Sequence, residues 1–473
     1  MSKFFKGILS VLFLLSALSA YAGTEVKDGY SIVKETLNGS EITILVPDKY
    51  SKNLLLFAHG LRDAASPLSS GFSTEGEFSQ ELVKEGWIIG STSYRRNGVI
   101  LSDAVEDIES LRKYIEDKYG KAENVYLEGW SMGGKILAMM AEKKDNMYKG
   151  ALAIGAALTI QEEGIKSELT FAPQIPILFL TNESELKRPQ DYIGSYKNGK
   201  AEPVLWKVNR RGHCNTNEKE ELLAFRALIE YSKSGKIEKN KELLIEMPEK
   251  ESTAVFKDGK AFAKVLTVDS AFGNMYVDLR KGDLKKLGID HGEYFEIGFN
   301  NKLYIIYFGD TYGDVDYGFW VAFSEADGKF KVARNFRNAA NLLKCKEGDT
   351  IFIRKTDKPK KEDQFQENPE TLRISQLYWP EIMNKNFDKA IEYTLEAIKL
   401  SPNSKWILTN LGHCYLLSGK FDEAKKIYFE NIGTRLEFGN LYFEDSVLED
   451  LSDMKQLKID DPNIDKMIEL YTK

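Results

Sequence analysis

Along the first half of the chain, short apolar runs alternate with stretches of helical periodicity. The runs fall at 42–46, 54–57, 87–90, 125–127, 151–154, 177–180 and 204–208. The helical kind is clearest at 103–119, where Val105, Ile108, Leu111 and Ile115 recur at helical spacing and charges fill the other face. Short apolar strands between helices predict a mostly parallel, doubly wound sheet over residues 24–234. A stretch rich in Lys, Ser and Gly at 233–241 reads as a linker. Beyond it the pattern changes to β-type runs at 262–268, 294–299, 303–308, 319–323 and 350–353, broken by turns. These predict a small, mainly antiparallel β domain over 243–355. A second linker, dense in Lys, Asp, Glu and Pro, spans 356–370. The remainder, 371–473, reads as all-α.

The helical part repeats itself. Phe387-Asp388-x-Ala390 returns as Phe421-Asp422-x-Ala424, a period of 421 − 387 = 34 residues. Leu408, Leu411, Gly412, Tyr415, Ala424 and Tyr428 fit one repeat, and Ala390, Ala397 and Pro402 fit the one before it. Period and pattern resemble tetratricopeptide repeats, with a capping helix expected within 441–457. Such repeats imply a protein partner without naming it.

Composition narrows the field. At 473 residues the chain is too long for one ordinary core and suggests about three domains. Hydrophobic content of 42% and charged content of 29% are those of a globular protein, and a net charge of −7 weighs against general nucleic-acid binding. Residues 1–22 read as a cleavable leader. Lys3 and Lys6 precede an apolar run from Ile8 to Leu18, and Ala20-Tyr21-Ala22 is a small-x-small cleavage pattern before Gly23. Export to a periplasm or the exterior follows, with no membrane span after cleavage, because no later segment is apolar enough. Cys214, Cys345 and Cys414 are scattered and odd in number, so they form no disulfide framework.

Candidate chemistry centres on Gly129-Trp130-Ser131-Met132-Gly133, which lies between an apolar run at 125–127 and a helical stretch at 135–141. Strand, sharp turn and helix present a serine hydroxyl above a sheet, with helix amides free to meet a developing oxyanion. A serine needs a base, and a carboxylate usually orients that base. The chain has four histidines. His213, in Arg211-Gly212-His213-Cys214-Asn215, follows the run at 204–208 and is the candidate base. His291 falls in a turn and His413 on a repeat helix, where solvation and packing explain them. His59, in Ala58-His59-Gly60, reads as a brace for the loop after the run at 54–57, with Leu61 N–H and Met132 N–H as the two oxyanion donors. The acid lies in the loop after the run at 177–180: Glu185 best matches the register, and Glu183 is the runner-up. Tyr94, Arg95 and Arg96 stand near the expected cleft, where an arginine could meet a substrate carboxylate.

Taken together, residues 24–234 resemble the α/β-hydrolase superfamily. The resemblance implies acyl transfer to water through Ser131, Glu185 and His213, with no metal or organic cofactor. The expected substrate is a small-molecule or peptide acyl compound, most simply a carboxylic ester. A serine peptidase, and a non-catalytic scaffold acting through the repeats, are the alternatives.

The β domain carries its own ordered set: Val265-Leu266-Thr267-Val268-Asp269, Phe272-Gly273-Asn274, Tyr312-Gly313-Asp314-Val315, Arg337-Asn338-Ala339-Ala340-Asn341 and Gly348-Asp349-Thr350. It resembles the C-terminal β-barrel domain of S-adenosylmethionine hydroxide adenosyltransferases. The resemblance implies adenosine-contacting roles for Phe272, Asn274 and Asn338. The catalytic partner domain of those enzymes is replaced here by the hydrolase-like segment, so a retained fold is expected ahead of retained chemistry.

Overall fold

The computed structural model describes residues 23–472, apart from 63–66, 144–146, 163, 165–167, 249–250, 270–272, 317, 336, 357–367, 437–440, 457–458 and 460. The leader, Phe272 and most of the charged linker therefore lie outside the described residues. The chain divides into two compact units, one built on residues 1–251 and the other on 252–473 apart from 269–272 and 323–329.

The first unit is a ten-stranded sheet. Its strands are β1 (Gly23–Lys27), β2 (Tyr30–Leu37), β3 (Ser40–Pro47), β4 (Asn53–Ala58), β5 (Ile88–Thr92), β6 (Asn124–Trp130), β7 (Gly150–Ile154), β8 (Ile177–Asn182), β9 (Val204–Val208) and β10 (Glu242–Leu243). Their spatial order is β1-β2-β3-β5-β4-β6-β7-β8-β9-β10. From β5 through β10 neighbouring strands run parallel, while β1, β2 and β3 form an antiparallel edge. The helices of this unit include α1 (Glu77–Lys84), α2 (Ser102–Tyr119), α3 (Met132–Ala141), α4 (Lys187–Gly194) and α5 (Glu218–Ser234). One face of the sheet packs against α2 and α3, with Ile108, Leu111, Ile136 and Leu137 buried. The other packs against α1 and α5, with Phe78, Leu82, Phe225 and Leu228 buried. Burial on both faces explains why the central strands are continuous apolar runs. The chain steps from β4 to β5 on one side and then to β6 on the other, so strand order reverses at β4. A crevice opens at such a reversal, beyond the carboxyl ends of the strands.

The sequence pattern did not announce β1 and β2. Along them polar residues interrupt the apolar ones, and β1 is mostly exposed at the sheet edge. The predicted linker at 233–241 begins two residues late: α5 runs to Ser234, where Gly235 ends it in the left-handed conformation at φ 68°.

The second unit begins with a barrel. Its strands are β11 (Val255–Lys257), β12 (Lys260–Val268), β13 (Met275–Val277), β14 (Tyr294–Phe299), β15 (Lys302–Phe308), β16 (Trp320–Ser324), β17 (Phe330–Arg334) and β18 (Thr350–Lys355). Seven of them close in the order β12-β13-β17-β16-β15-β14-β18, with β18 pairing back onto β12 and β11 adding to β12 outside the ring. Pairing is mainly antiparallel, β15 with β16 being parallel. Helices α6 (Lys281–Lys286) and α7 (Ala339–Leu343) complete it, and Phe295, Trp320, Phe330 and Ile353 fill its core.

Helices follow: α8 (Pro369–Ser375), α9 (Tyr378–Met383), α10 (Phe387–Leu400), α11 (Trp406–Leu417), α12 (Phe421–Glu430), α13 (Phe443–Gln456) and α14 (Pro462–Thr472). At Gly412 on α11, a Cβ would stand 2.2 Å from the Tyr428 ring on α12, so only glycine lets these two helices approach. Helix α13 occupies the span expected of the cap and also grips the barrel. Asp445 accepts from Tyr304 Oη at 2.7 Å and pairs with Lys302, Glu449 pairs with Arg334, and Asp453 pairs with Arg337.

Candidate active site

Ser131 sits at the turn between β6 and α3 with φ 55° and ψ −116°. Positive φ is uncommon for a residue with a side chain and marks local strain. The serine itself makes the sharp turn, while Gly129 and Gly133 have ordinary φ. Those glycines answer a packing need. A Cβ on Gly133 would stand 2.0 Å from the Ala58 carbonyl oxygen, and one on Gly129 would stand 2.9 Å from the Gly133 backbone. They let α3 start against the end of β4. Hydrogen bonds then fix the turn: Ser131 N–H donates to Ile154 O at 2.9 Å, and Ala157 N–H donates to Ser131 O at 2.9 Å.

Three predicted residues meet here from three strand ends. His213 Nε2 lies 2.9 Å from Ser131 Oγ, and His213 Nδ1 is hydrogen-bonded to Glu185 Oε1. The other Glu185 oxygen accepts from Cys214 N–H at 3.3 Å. Glu183, two residues earlier on the same short 3₁₀ turn, is exposed. Burial works against a charged His213, but the Cys214 sulfur and the Glu185 carboxylate outweigh it, so the imidazole holds its proton well above its usual range.

Two residues that the sequence pattern passed over lace these loops together. Asn182, fully buried at the end of β8, donates to Arg210 O at 3.1 Å and Asn215 O at 2.8 Å. It also accepts from Asn215 N–H at 2.7 Å. Ser184 Oγ donates to Gly212 O at 2.7 Å and accepts from Gly212 N–H at 2.9 Å. Their only sequence signal was position: short polar side chains at a strand end, beside the predicted acid.

The loop after β4 completes the site. A Cβ on Gly60 would lie 3.2 Å from Ser131 Cβ, so this loop runs directly beside the serine. Leu61 N–H and Met132 N–H have no hydrogen-bond partner among the described residues. His59 is buried and its pKa falls to about 3, because burial and the Arg62 charge both disfavour the cation. A ring whose cation is this unfavourable is a poor base at neutral pH.

The arginines expected near the cleft are engaged within the chain. Arg95 forks onto Asp107 and Glu106, and Arg96 pairs with Asp103 and Glu162. Tyr94 is buried. A free guanidinium for a substrate carboxylate is thus not what this loop offers.

One further feature escaped sequence reading. Glu128, on β6 three residues before Ser131, and Glu221 on α5 are both buried and line a small cavity with Phe57, Phe72 and Trp130. Burial, with Glu221 nearby, raises the Glu128 carboxyl well above the carboxylate range. Burial, with Glu218 and Glu220 adding charge, pushes Glu221 up to about 7.

In the barrel, the family positions have structural partners. Asn338 caps α7, accepting from Asn341 N–H at 2.8 Å, and its side chain packs against Gly273, which has φ 65°. Asn274 donates to Tyr312 Oη at 3.0 Å. One polar atom of each amide, Asn338 Oδ1 and Asn274 Nδ2, is thus engaged within the barrel. His291 pairs with Asp310 at 3.1 Å, and the buried His413 lies 2.6 Å from Tyr428 Oη and 3.1 Å from Asp450.

Comparison with known proteins covers the chain in pieces. Residues 263–352 match the S-adenosylmethionine hydroxide adenosyltransferase C-terminal domain, and residues 381–430 match a tetratricopeptide repeat. Among curated sequences none matches. An uncharacterized conserved protein from Thermotoga maritima is 25% identical over 27% of this chain and 49% of its own length, with a TM-score of 0.21. The chain thus spans about half the length of that protein. An esterase/lipase from an uncultured bacterium is 14% identical over 48% of this chain and 96% of its own, with a TM-score of 0.33. Est1E from Butyrivibrio proteoclasticus is 14% identical over 42% of this chain and 96% of its own, with a TM-score of 0.31. The chain joins a unit of α/β-hydrolase fold to a barrel of the S-adenosylmethionine hydroxide adenosyltransferase C-terminal type and to tetratricopeptide repeats.

Proposed function

We propose that the first unit is a serine hydrolase that cleaves carboxylic esters through an acyl-enzyme. The observation that carries this reading is the 2.9 Å approach of His213 Nε2 to Ser131 Oγ, with Glu185 on the other ring nitrogen. Ser131 Oγ attacks the ester carbonyl carbon while His213 Nε2 takes the hydroxyl proton. The oxyanion that forms lies between Leu61 N–H and Met132 N–H, two donors with no other partner among the described residues. Collapse expels the alcohol, which takes the proton from His213. Water then repeats the sequence, releasing the acid and restoring Ser131. Glu185 holds the ring with Nε2 facing the serine and stabilises the imidazolium.

The leader pattern at 1–22 supports export, and no helix among the described residues is long and apolar enough to cross a membrane. The repeats support a protein partner.

Two measurements on the full chain test the reading. Ser131→Ala should lower p-nitrophenyl butyrate turnover by at least about 10⁴-fold while leaving the melting temperature nearly unchanged. A base acts only when unprotonated, so kcat/KM should rise with pH through a limb above ~6.5, in keeping with the raised His213. Turnover surviving Ser131→Ala overturns the nucleophile, and a limb below the ordinary imidazole range overturns the His213–Glu185 pairing.

A further inference from the structure

We infer that Tyr94 is a positioning residue for the oxyanion site, acting through His59 on the peptide that carries the Leu61 N–H. The inference rests on the proposed hydrolase reading.

The argument begins with a peptide plane. Gly60 C=O and Leu61 N–H belong to one trans peptide, so fixing the carbonyl in one direction aims the N–H in the opposite one. His59 Nδ1 lies 2.7 Å from Gly60 O. A carbonyl can only accept, so Nδ1 carries the proton and the neutral ring anchors that plane. The donor needed at the serine is thereby aimed by a side chain that never touches the substrate.

His59 is held in turn by Tyr94. The two rings lie 4.0 Å apart between centroids, tilted by 31°. Tyr94 Oη also donates to the His59 backbone carbonyl at 3.1 Å. Burial keeps this phenol protonated far above neutral pH, so it remains a donor. The absent Gly133 side chain also brings α3 against the Ala58 and His59 carbonyls. The oxyanion loop is therefore held by Tyr94 and by the start of α3.

Tyr94 itself takes an uncommon backbone conformation, φ 57°. Neighbouring hydrogen bonds hold it there: Tyr94 N–H donates to Thr92 Oγ1 at 3.1 Å, Ser93 Oγ donates to Tyr94 O at 2.7 Å, and Glu41 N–H donates to Ser93 Oγ at 2.9 Å. A strained, fully buried tyrosine whose hydroxyl ends on the oxyanion loop is more than core filling.

The test is Tyr94→Phe in the full chain, which keeps the ring and deletes the hydroxyl. Loss of aim at one oxyanion donor should lower kcat for p-nitrophenyl butyrate by roughly ten-fold, with KM within about two-fold. Affinity for a boronic acid that forms a tetrahedral adduct should fall by the same factor. The pH limb should not move, because Tyr94 does not touch His213. Should Tyr94→Phe fail to fold, His59→Gln breaks the same chain one link on and should give the same split. Unchanged kcat, or a raised KM with kcat intact, overturns the role of Tyr94 and leaves the hydrolase reading standing. A wild-type chain that turns over no ester and takes no fluorophosphonate label overturns both.

Discussion

The ends of β4, β6, β8 and β9 and the ligand-matching positions of the barrel are both family signatures, yet their polar groups have different fates. At the strand ends, side chains from separate loops converge, and the chain Glu185–His213–Ser131 finishes at a hydroxyl, while Leu61 N–H and Met132 N–H have no partner among the described residues. In the barrel, Asn338 Oδ1 meets the N-terminus of α7 and Asn274 Nδ2 meets the Tyr312 hydroxyl. A motif can survive because packing needs it. Where its hydrogen-bonding capacity ends, in the protein or at an open position, separates chemistry from architecture.

Breaking the first region should have the largest effect. Glu185→Gln removes the carboxylate that meets His213 Nδ1 and should lower kcat by roughly 10²–10⁴-fold. Glu183→Gln, at an exposed position, should leave kcat within about two-fold. Turnover assays on both variants decide the matter, and the reverse ranking would move the acid to Glu183.

A smaller effect should appear in stability. Burial raises the folded-state pKa of Glu221 to about 7, above the usual carboxylate value of ~4.5. The protonated form is therefore favoured by folding. The associated stability is fully present below ~4.5 and is lost as pH rises toward 7, a falling trend shared with the neighbouring buried Glu128 carboxyl. Melting curves from pH 4.5 to 8 should show a falling transition that Glu221→Gln flattens. An identical pH dependence in the variant would mean that the carboxyl does not carry the effect.

The barrel should respond least. Asn338→Ala should cost about 1 kcal/mol as a lost helix cap and leave ester turnover unchanged. Calorimetric titration of the wild-type chain with adenosine should show no heat at millimolar ligand. Saturable binding lost in Asn338→Ala would erase the contrast between the two regions.

Some of this organisation was legible in the sequence, and the omissions have physical causes. The helix predicted at 103–119 and the central strands stood out because they bury one stripe or both faces. Strand β17 did not, since Phe330-Lys331-Val332-Ala333-Arg334 looks half solvated. Lys331 is instead buried with its ammonium 4.9 Å over the Tyr276 ring, and Arg334 is buried against Glu449. Long-range partners of that kind leave no local pattern. In the site, Ser131 and His213 were readable from their strand-end positions. The loop register also ranked Glu185 ahead of Glu183, and the course of the short turn they share sends Glu185 to the imidazole. The contact between Tyr94 and His59 spans 35 residues and was invisible.

The most direct test of the account is fluorophosphonate labelling of the folded wild-type chain beside Ser131→Ala, with the adduct located by mass spectrometry. The account predicts one adduct, on Ser131, and none in the variant. A folded wild-type chain without an adduct, or an adduct that persists in Ser131→Ala, would contradict it.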